Sequence, residues 1–379
     1  MRGVDAKMTD RSIYKSKWGD FALCFLGVFL IALMIRNSDV AIKYVKDGLS
    51  LSASVLIPSL FPFMVVSDIF VRSGAARTLG SLLSAPMRTL FGIRGEGAVA
   101  VVLGALCGFP IGARCAVSLF DSGRISGEEC ERLMALSSNP SSAFLISAVG
   151  VSLFGSRAFG RVLYIATLAS SATVGVVAGA LSRRRAKKAP SERPLDTPRE
   201  SLNDRFRASD ISDAIASSAD AMLRVCAFVV FFVAFTGTLC EMLDALPLSQ
   251  TLKAAVCGIF ELTGGVTEAA KLRPVEIGGV LAAFASGWSG LSVLLQISSI
   301  CRGREISLLP YVISKLATGV LTASVTALCL RLSPPEFYAD APTVLLEVRG
   351  AHIITAAFVV ISIAVGIKKI IAHRRERKI

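Results

Sequence analysis

Apolar runs close to the length of a bilayer crossing recur along the chain, at 21–35, 49–71, 98–120, 133–154, 162–181, 223–239, 277–300, 308–330 and 353–371. Crossing the hydrocarbon takes ~20 apolar residues in a helix. At that depth every backbone N–H and C=O must find its partner within the protein. The runs therefore predict an all-α polytopic membrane protein. Composition agrees: 53% of residues are hydrophobic and 18% charged, with mean hydropathy +0.63, where a soluble domain carries about 25% charged residues. Two further runs, 78–93 and 252–270, are too short or too interrupted to count as spans.

The formal net charge of +13 gathers in 7–17, 183–193 and 368–378, each beside an apolar run. That is the pattern of cytoplasmic flanks, so topology accounts for the charge and no nucleic-acid partner is expected. Run 21–35 follows basic residues as a signal peptide would, but Ile35-Arg-Asn-Ser-Asp-Val-Ala offers no small-x-small cleavage site. An uncleaved first helix is expected. The nine cysteines contain no C-x-x-C pair, so they are read as small buried hydrophobes, with neither a disulfide framework nor a metal site. No cofactor is expected.

A charged, proline-containing stretch at 183–210 has no apolar period and reads as a cytoplasmic linker. It divides the chain into an N-terminus with a first helix (1–47), a first membrane repeat (48–182), a second (211–372) and a basic tail (373–379). The halves resemble each other: aligning 104–126 with 282–307 sets Gly108 on Gly287, Phe109 on Trp288, Gly123 on Gly303 and Ser126 on Ser307. Such duplication marks transporters whose substrate site lies where broken helices of the two halves meet.

Parity constrains the path. If the N-terminus, linker and C-terminus are all cytoplasmic, each half crosses an even number of times. The first half then holds one element too many. The Gly-Pro-Gly break makes 98–120 the re-entrant candidate, with 121–132 returning to the cytoplasm. Treating the broken segment after the linker in the same way orients both halves alike, whereas counting the short segments 78–93 and 252–270 differently would make the halves inverted. The stretch 210–224 is amphipathic and is expected to lie on the membrane surface.

Helix-disrupting clusters interrupt the apolar runs at Pro62, at 108–112 ("GFPIG"), at 137–142 ("SSNPSS"), at 261–265 ("ELTGG") and at 286–292 ("SGWSGLS"). Unwound chain at membrane depth survives only inside protein or against a water-filled cavity. Half-helix ends also attract ions. These clusters supply the expected substrate-binding set: Gly108, Phe109, Pro110 and Gly112; Ser138, Asn139 and Ser141, beside Ser137 and Ser142; Glu261 and Thr263; and Trp288, Ser289, Ser292 and Gln296. Arg114 is the sharpest single residue, since a guanidinium at that depth must be paired or wet. It is expected to anchor a carboxylate or phosphate of the cargo, so that Arg114→Ala abolishes flux at normal abundance; the alternative is that 98–120 is shifted and Arg114 snorkels to an interface. Asp68, Glu261 and Lys315 could couple transport to protons or Na⁺, or pair with neighbours. His352 and His373 are the only histidines, and neither H-E-x-x-H nor a phosphate loop occurs. The chain is not expected to be an enzyme.

The blocks "LIPSLFPFMVVSDIF", "CGFPIGARCAVSLFDSGRIS", "RLMALSSNPSSAFLISAVG" and "SGLSVLLQ" resemble the signature blocks of the sporulation integral membrane protein YlbJ family. That family carries a nucleoside-recognition, or Gate, domain related to concentrative nucleoside transporters. The resemblance implies a duplicated fold with re-entrant hairpins and unwound helices, a role in endospore formation, and a place in the mother-cell membrane around the forespore. It also implies dipicolinate, a small aromatic dicarboxylate, as cargo, with a nucleoside as the alternative. Where the family pattern reads G-G-L-S-V-H-x-Q, this chain has Ser289 to Gln296 without a histidine, and "SSNPSS" departs from the usual glycine-containing, asparagine-rich form. The expected partners are a small solute, membrane lipid and further copies of the chain. A non-transporting scaffold or ligand sensor is the reading from another class.

Overall fold

The computed structural model describes residues 17–73, 75–186 and 208–332. The predicted span 353–371, most of the linker, the tail and both histidines lie outside them. Among the described residues every regular element is helical, so the all-α polytopic class holds. Four helical stretches are each long and apolar enough to cross a bilayer, at 157–184, 209–244, 275–301 and 309–332, and a bent pair adds a fifth candidate.

Helix α1 (Lys17–Arg36) leads into a rod made of α2 (Ser38–Leu51), a π-type turn (Ser52–Leu56) and α3 (Ile57–Arg72). The π turn lies just ahead of Pro58, whose ring cannot follow a regular turn. The helix then runs on through Pro62, so the interruption expected there is not formed. α4 (Ala75–Pro86) continues as a π segment (Met87–Phe91), and stretch 80–91 stands at 96° to stretch 95–107. The chain thus turns by about a right angle ahead of α5.

Next come α5 (Ala98–Cys107) and α6 (Ile111–Asp121), about 15 Å each at helical rise. They form an antiparallel hairpin. Gly104 on one arm and Gly112 on the other both press on the carbonyl of Ser137, and a Cβ at either would overlap it. Along one straight helix these glycines would sit about 12 Å apart and could not reach a single atom. α7 (Gly127–Ser137) opens with a capping box, Ser126 with Glu129. The chain unwinds after Ser137, resumes as a π-type helix (Ala143–Leu153), and returns in α8 (Arg157–Ala186).

Beyond the linker, α9 (Ala208–Asp244) is one 37-residue helix. The stretch 210–224 is its first part, packed against α3, rather than a separate surface helix. α10 (Gln250–Phe260) and α11 (Leu262–Ala270) form a second hairpin, in which Gly258 meets Gly265 backbone to backbone and Lys253 pairs with Glu268 across the arms at 3.1 Å. α12 (Val275–Trp288) and α13 (Gly290–Cys301) make a span interrupted at Ser289, and α14 (Leu309–Leu332) follows. Cys240 and Cys257 are disulfide-bonded, tying α9 to α10. This corrects the reading of all the cysteines as free hydrophobes, although Cys107, Cys115, Cys130, Cys301 and Cys329 are free and buried as expected.

Each half is thus a hairpin, a broken span and a long helix: α5 to α8, then α10 to α14. The counterpart of hairpin 98–121 is hairpin 250–270, not 282–307, which belongs with 127–153. The alignment read from sequence matched a hairpin tip to a span break because both are glycine-rich. Following the path outward from the linker shows the consequence. Hairpin 1 opens toward the linker face, where Asp121 at its base meets Arg304 beyond α13 in a bidentate pair at 2.6 Å. α9 carries the chain across, so hairpin 2 opens from the opposite face. The repeats are inverted, not oriented alike.

Two apolar clusters hold the halves. One gathers hairpin 1, α7, α13 and the start of α14; the other gathers hairpin 2, the π helix, α12 and the end of α14. Phe109, at the tip of hairpin 1, packs against both. A tip about 15 Å from its base stands near half the ~30 Å hydrocarbon thickness.

Candidate functional site

Hairpin 1 closes over the break of its own repeat. Gly108 (φ 82°) and Pro110 form the turn, and the Phe109 amide donates to the carbonyl of Asn139 at 2.9 Å. Gly108 lies so close to Ser141 that a Cβ would have to displace it. The exposed ends of the broken span are otherwise satisfied from two helices. Asn139 Nδ2 (2.9 Å) and Ser171 Oγ of α8 (3.0 Å) both donate to the carbonyl of Leu136. Lys315 Nζ of α14 donates to the carbonyl of Ser138 at 2.8 Å and to Asn139 Oδ1 at 3.3 Å. Ser138, Asn139 and Lys315 are 0%, 2% and 1% exposed, so this break is closed in the conformation described.

Hairpin 2 does the same at the second break. Ser289 (φ 72°) and Gly290 (φ 84°) are both left-handed, and the Gly290 backbone lies against residues 260–262 of the tip. The Trp288 indole donates to the carbonyl of Ile259 at 3.0 Å. Glu261 caps α11, its carboxylate accepting from the amides of Thr263 (2.8 Å) and Gly264 (2.6 Å). Ser292 and Gln296 pair with each other one turn into α13, 3.3 Å apart and buried.

Arg114 lies elsewhere, on the face of α6 that meets α3 and α9. Its Nη2 donates to Ser217 Oγ at 2.6 Å and stands 3.7 Å from Asp68 Oδ2. Asp68 also accepts from Ser118 (3.2 Å), Ser217 (3.1 Å) and Arg72 (3.2 Å). Arg114 and Asp68, expected as a substrate anchor and an ion-coupling group, are thus partners in one buried cluster. The guanidinium is paired rather than presented to a cavity.

The structure therefore brings together Gly108, Phe109, Pro110, Gly112, Ser138, Asn139, Ser141 and Lys315 as one group, and Glu261, Thr263, Trp288 and Ser289 as another. Arg114 with Asp68, and Ser292 with Gln296, stand apart. Sequence reasoning missed Ser171, Ser217 and Gly104. Ser217 sits on the polar face of the amphipathic stretch, the one signal that marked it. Among the described residues a cleft of about 520 Å³ opens at the linker end of α13, lined by residues that include Phe228, Leu295, Ser299, Arg302, Arg304 and Leu308, and no tip residue lines it.

Compared with known proteins, the chain is similar to the sporulation integral membrane protein YlbJ of Bacillus subtilis (strain 168), at 26% identity over 340 residues, covering 81% of this chain and 82% of that protein. No family model matches. No solved structure matches either.

Proposed function

We propose, from the premise that the chain belongs to the YlbJ family of sporulation integral membrane proteins, that it is a secondary or facilitated carrier acting in endospore formation. Its cargo is a small polar or anionic metabolite, dipicolinate first and a nucleoside as the alternative, and its place is the mother-cell-derived membrane around the forespore. One observation carries this reading: two inverted repeats, each with a hairpin that enters from its own face and seats its tip on an interrupted span. That arrangement suits alternating access, because rocking or lifting one hairpin at a time would open the interrupted backbone to one side only. The half-helix ends then offer amides and carbonyls to the solute without leaving them in lipid.

A sealed-vesicle assay with labelled dipicolinate and labelled nucleosides tests it, with saturable uptake of one class as the expected result. The competing reading is a non-transporting scaffold or sensor, for which both breaks being closed in the same conformation speaks. Absence of flux for either class, together with stoichiometric co-purification of a partner protein, would establish that reading instead.

A further inference from the structure

Buried charges in this protein are generally matched. Arg114 has Asp68; Lys253 has Asp244 and Glu268; Glu129 accepts from the amides of Arg94 and Ser126 at 2.8 Å each. Lys315 is the exception. It is 1% exposed, and its ammonium has only the neutral oxygens of Ser138 and Asn139 for partners among the described residues, with no carboxylate within 4 Å. An ammonium carries three hydrogens, so one is left without a described acceptor.

The surrounding backbone does not supply the missing negative charge. The C-terminal end of α7 contributes about half a negative charge, and the N-terminal end of the π helix, which starts at Ala143, about half a positive one. The negative end lies closer, since Lys315 is bonded to the Ser138 carbonyl at 2.8 Å, but half a charge does not match a whole one, and no described carboxylate completes it. What covers it is the tip of hairpin 1, through Phe109 on Asn139 and Gly108 on Ser141. Lifting that tip uncovers a buried cation with a spare donor beside Ser138, Asn139 and Ser141, and an aromatic ring at Phe109.

We infer that Lys315 is the recognition group for a carboxylate on the solute, offered from the first break when hairpin 1 lifts, in the role that sequence assigned to Arg114. The inference deepens the carrier reading and rests on it for the claim that the bound solute is carried; the binding itself needs no flux. A carboxylate meets the third hydrogen and neutralises the charge, whereas an amide of the same shape can meet only the hydrogen.

The test uses the full chain, purified in detergent, with dipicolinate, benzoate, their amides and uridine as probes, read by thermal melting. The expected result is that the carboxylates raise the melting temperature and the amides and uridine do not. Lys315→Gln should weaken the carboxylate response about tenfold or more, the loss expected for one charge-assisted hydrogen bond. The paired variant Asp68→Asn/Arg114→Gln should keep it. A second readout covers a Lys315→Gln chain that fails to fold: Ser141→Cys, in a chain whose exposed Cys24 is replaced by serine, should react with a charged thiol reagent, and dipicolinate should slow that reaction while its diamide does not. Equal protection by acid and amide, or undiminished carboxylate binding by Lys315→Gln, overturns the inference. Carboxylate binding without flux keeps it and removes the carrier reading, while uridine flux without carboxylate binding does the reverse.

Discussion

At the first break a cation from a distant helix, Lys315, donates to the carbonyl of Ser138; at the second an anion from the hairpin itself, Glu261, accepts two amides of α11. Both charges serve half-helix ends, but they are spent differently. Both oxygens of Glu261 are engaged by the positive end that follows it in sequence, a local cap that any hairpin could carry. Lys315 reaches across repeats and keeps a hydrogen in reserve. The grip differs as well: hairpin 1 is interlocked with its break, since a Cβ at Gly104 or Gly112 would overlap the Ser137 carbonyl, whereas a Cβ at Gly290 would meet hairpin 2 at 3.1–3.2 Å. Two elements related by inversion can therefore have unlike duties, one bound tightly over a reserved charge and one resting on a satisfied cap.

The largest expected effect breaks the interlock. Gly112→Val forces a branched side chain against backbone that cannot yield, and should cost about 3 kcal/mol or more. Abundance in the membrane should fall several-fold on immunoblots. Gly290→Ala meets looser packing but a φ of 84°, so it should cost about 1–2 kcal/mol. Equal losses at the two glycines would mean that the hairpins are held alike.

Next in size is the cluster that fastens hairpin 1 to α3 and α9. Asp68→Asn leaves the Arg114 guanidinium, 15% exposed, without its carboxylate, at a cost near 3 kcal/mol. Asp68→Asn/Arg114→Gln should recover most of that loss in a melting experiment. The pairing also changes what Arg114→Ala should do. It strands Asp68, so reduced abundance accompanies any loss of flux. Normal abundance with no flux would return Arg114 to the solute site.

Much of this is legible in the sequence, for a reason that also explains what is not. Interruptions at 108–112, 137–142, 261–265 and 286–292 appear where glycine and proline cluster, because those residues act on their own backbone. Whether an interruption turns the chain back or only bends it is decided by packing. Gly104 and Gly112 close one hairpin on Ser137, Gly258 and Gly265 close the other on each other, and Ser289 closes nothing. That distinction decides between inverted and parallel repeats, which the pattern of glycines alone left open. The polar face of 210–224 looked like a membrane-surface face because its partners, Asp68 and Arg114, are distant in sequence. Pro62 looked like a break because proline removes a backbone donor, yet α3 runs on through it.

A smaller effect separates a cap from a coupling group at the second break. Glu261→Gln keeps an acceptor for one amide and loses the charge at the start of α11, which should cost about 1 kcal/mol. If Glu261 is only a cap, flux in vesicles should persist at near-normal rates whether a Na⁺ or a proton gradient is imposed. If it couples an ion, the dependence on that gradient should vanish while the melting temperature barely moves. The contrast between the two breaks stands in the first case and weakens in the second.

The smallest effect concerns the linker face, where Arg304 holds Asp121 at the base of hairpin 1. Both side chains are partly exposed, at 33% and 43%, so Arg304→Ala should cost no more than about 1 kcal/mol and leave abundance unchanged. The contact nonetheless joins hairpin 1 to the loop after the other repeat's broken span. Losing it should make Ser141→Cys react faster with the charged thiol reagent, since the base of hairpin 1 is then less restrained. A rate that does not change would place the restraint on hairpin 1 wholly in the glycine interlock and the Asp68 cluster.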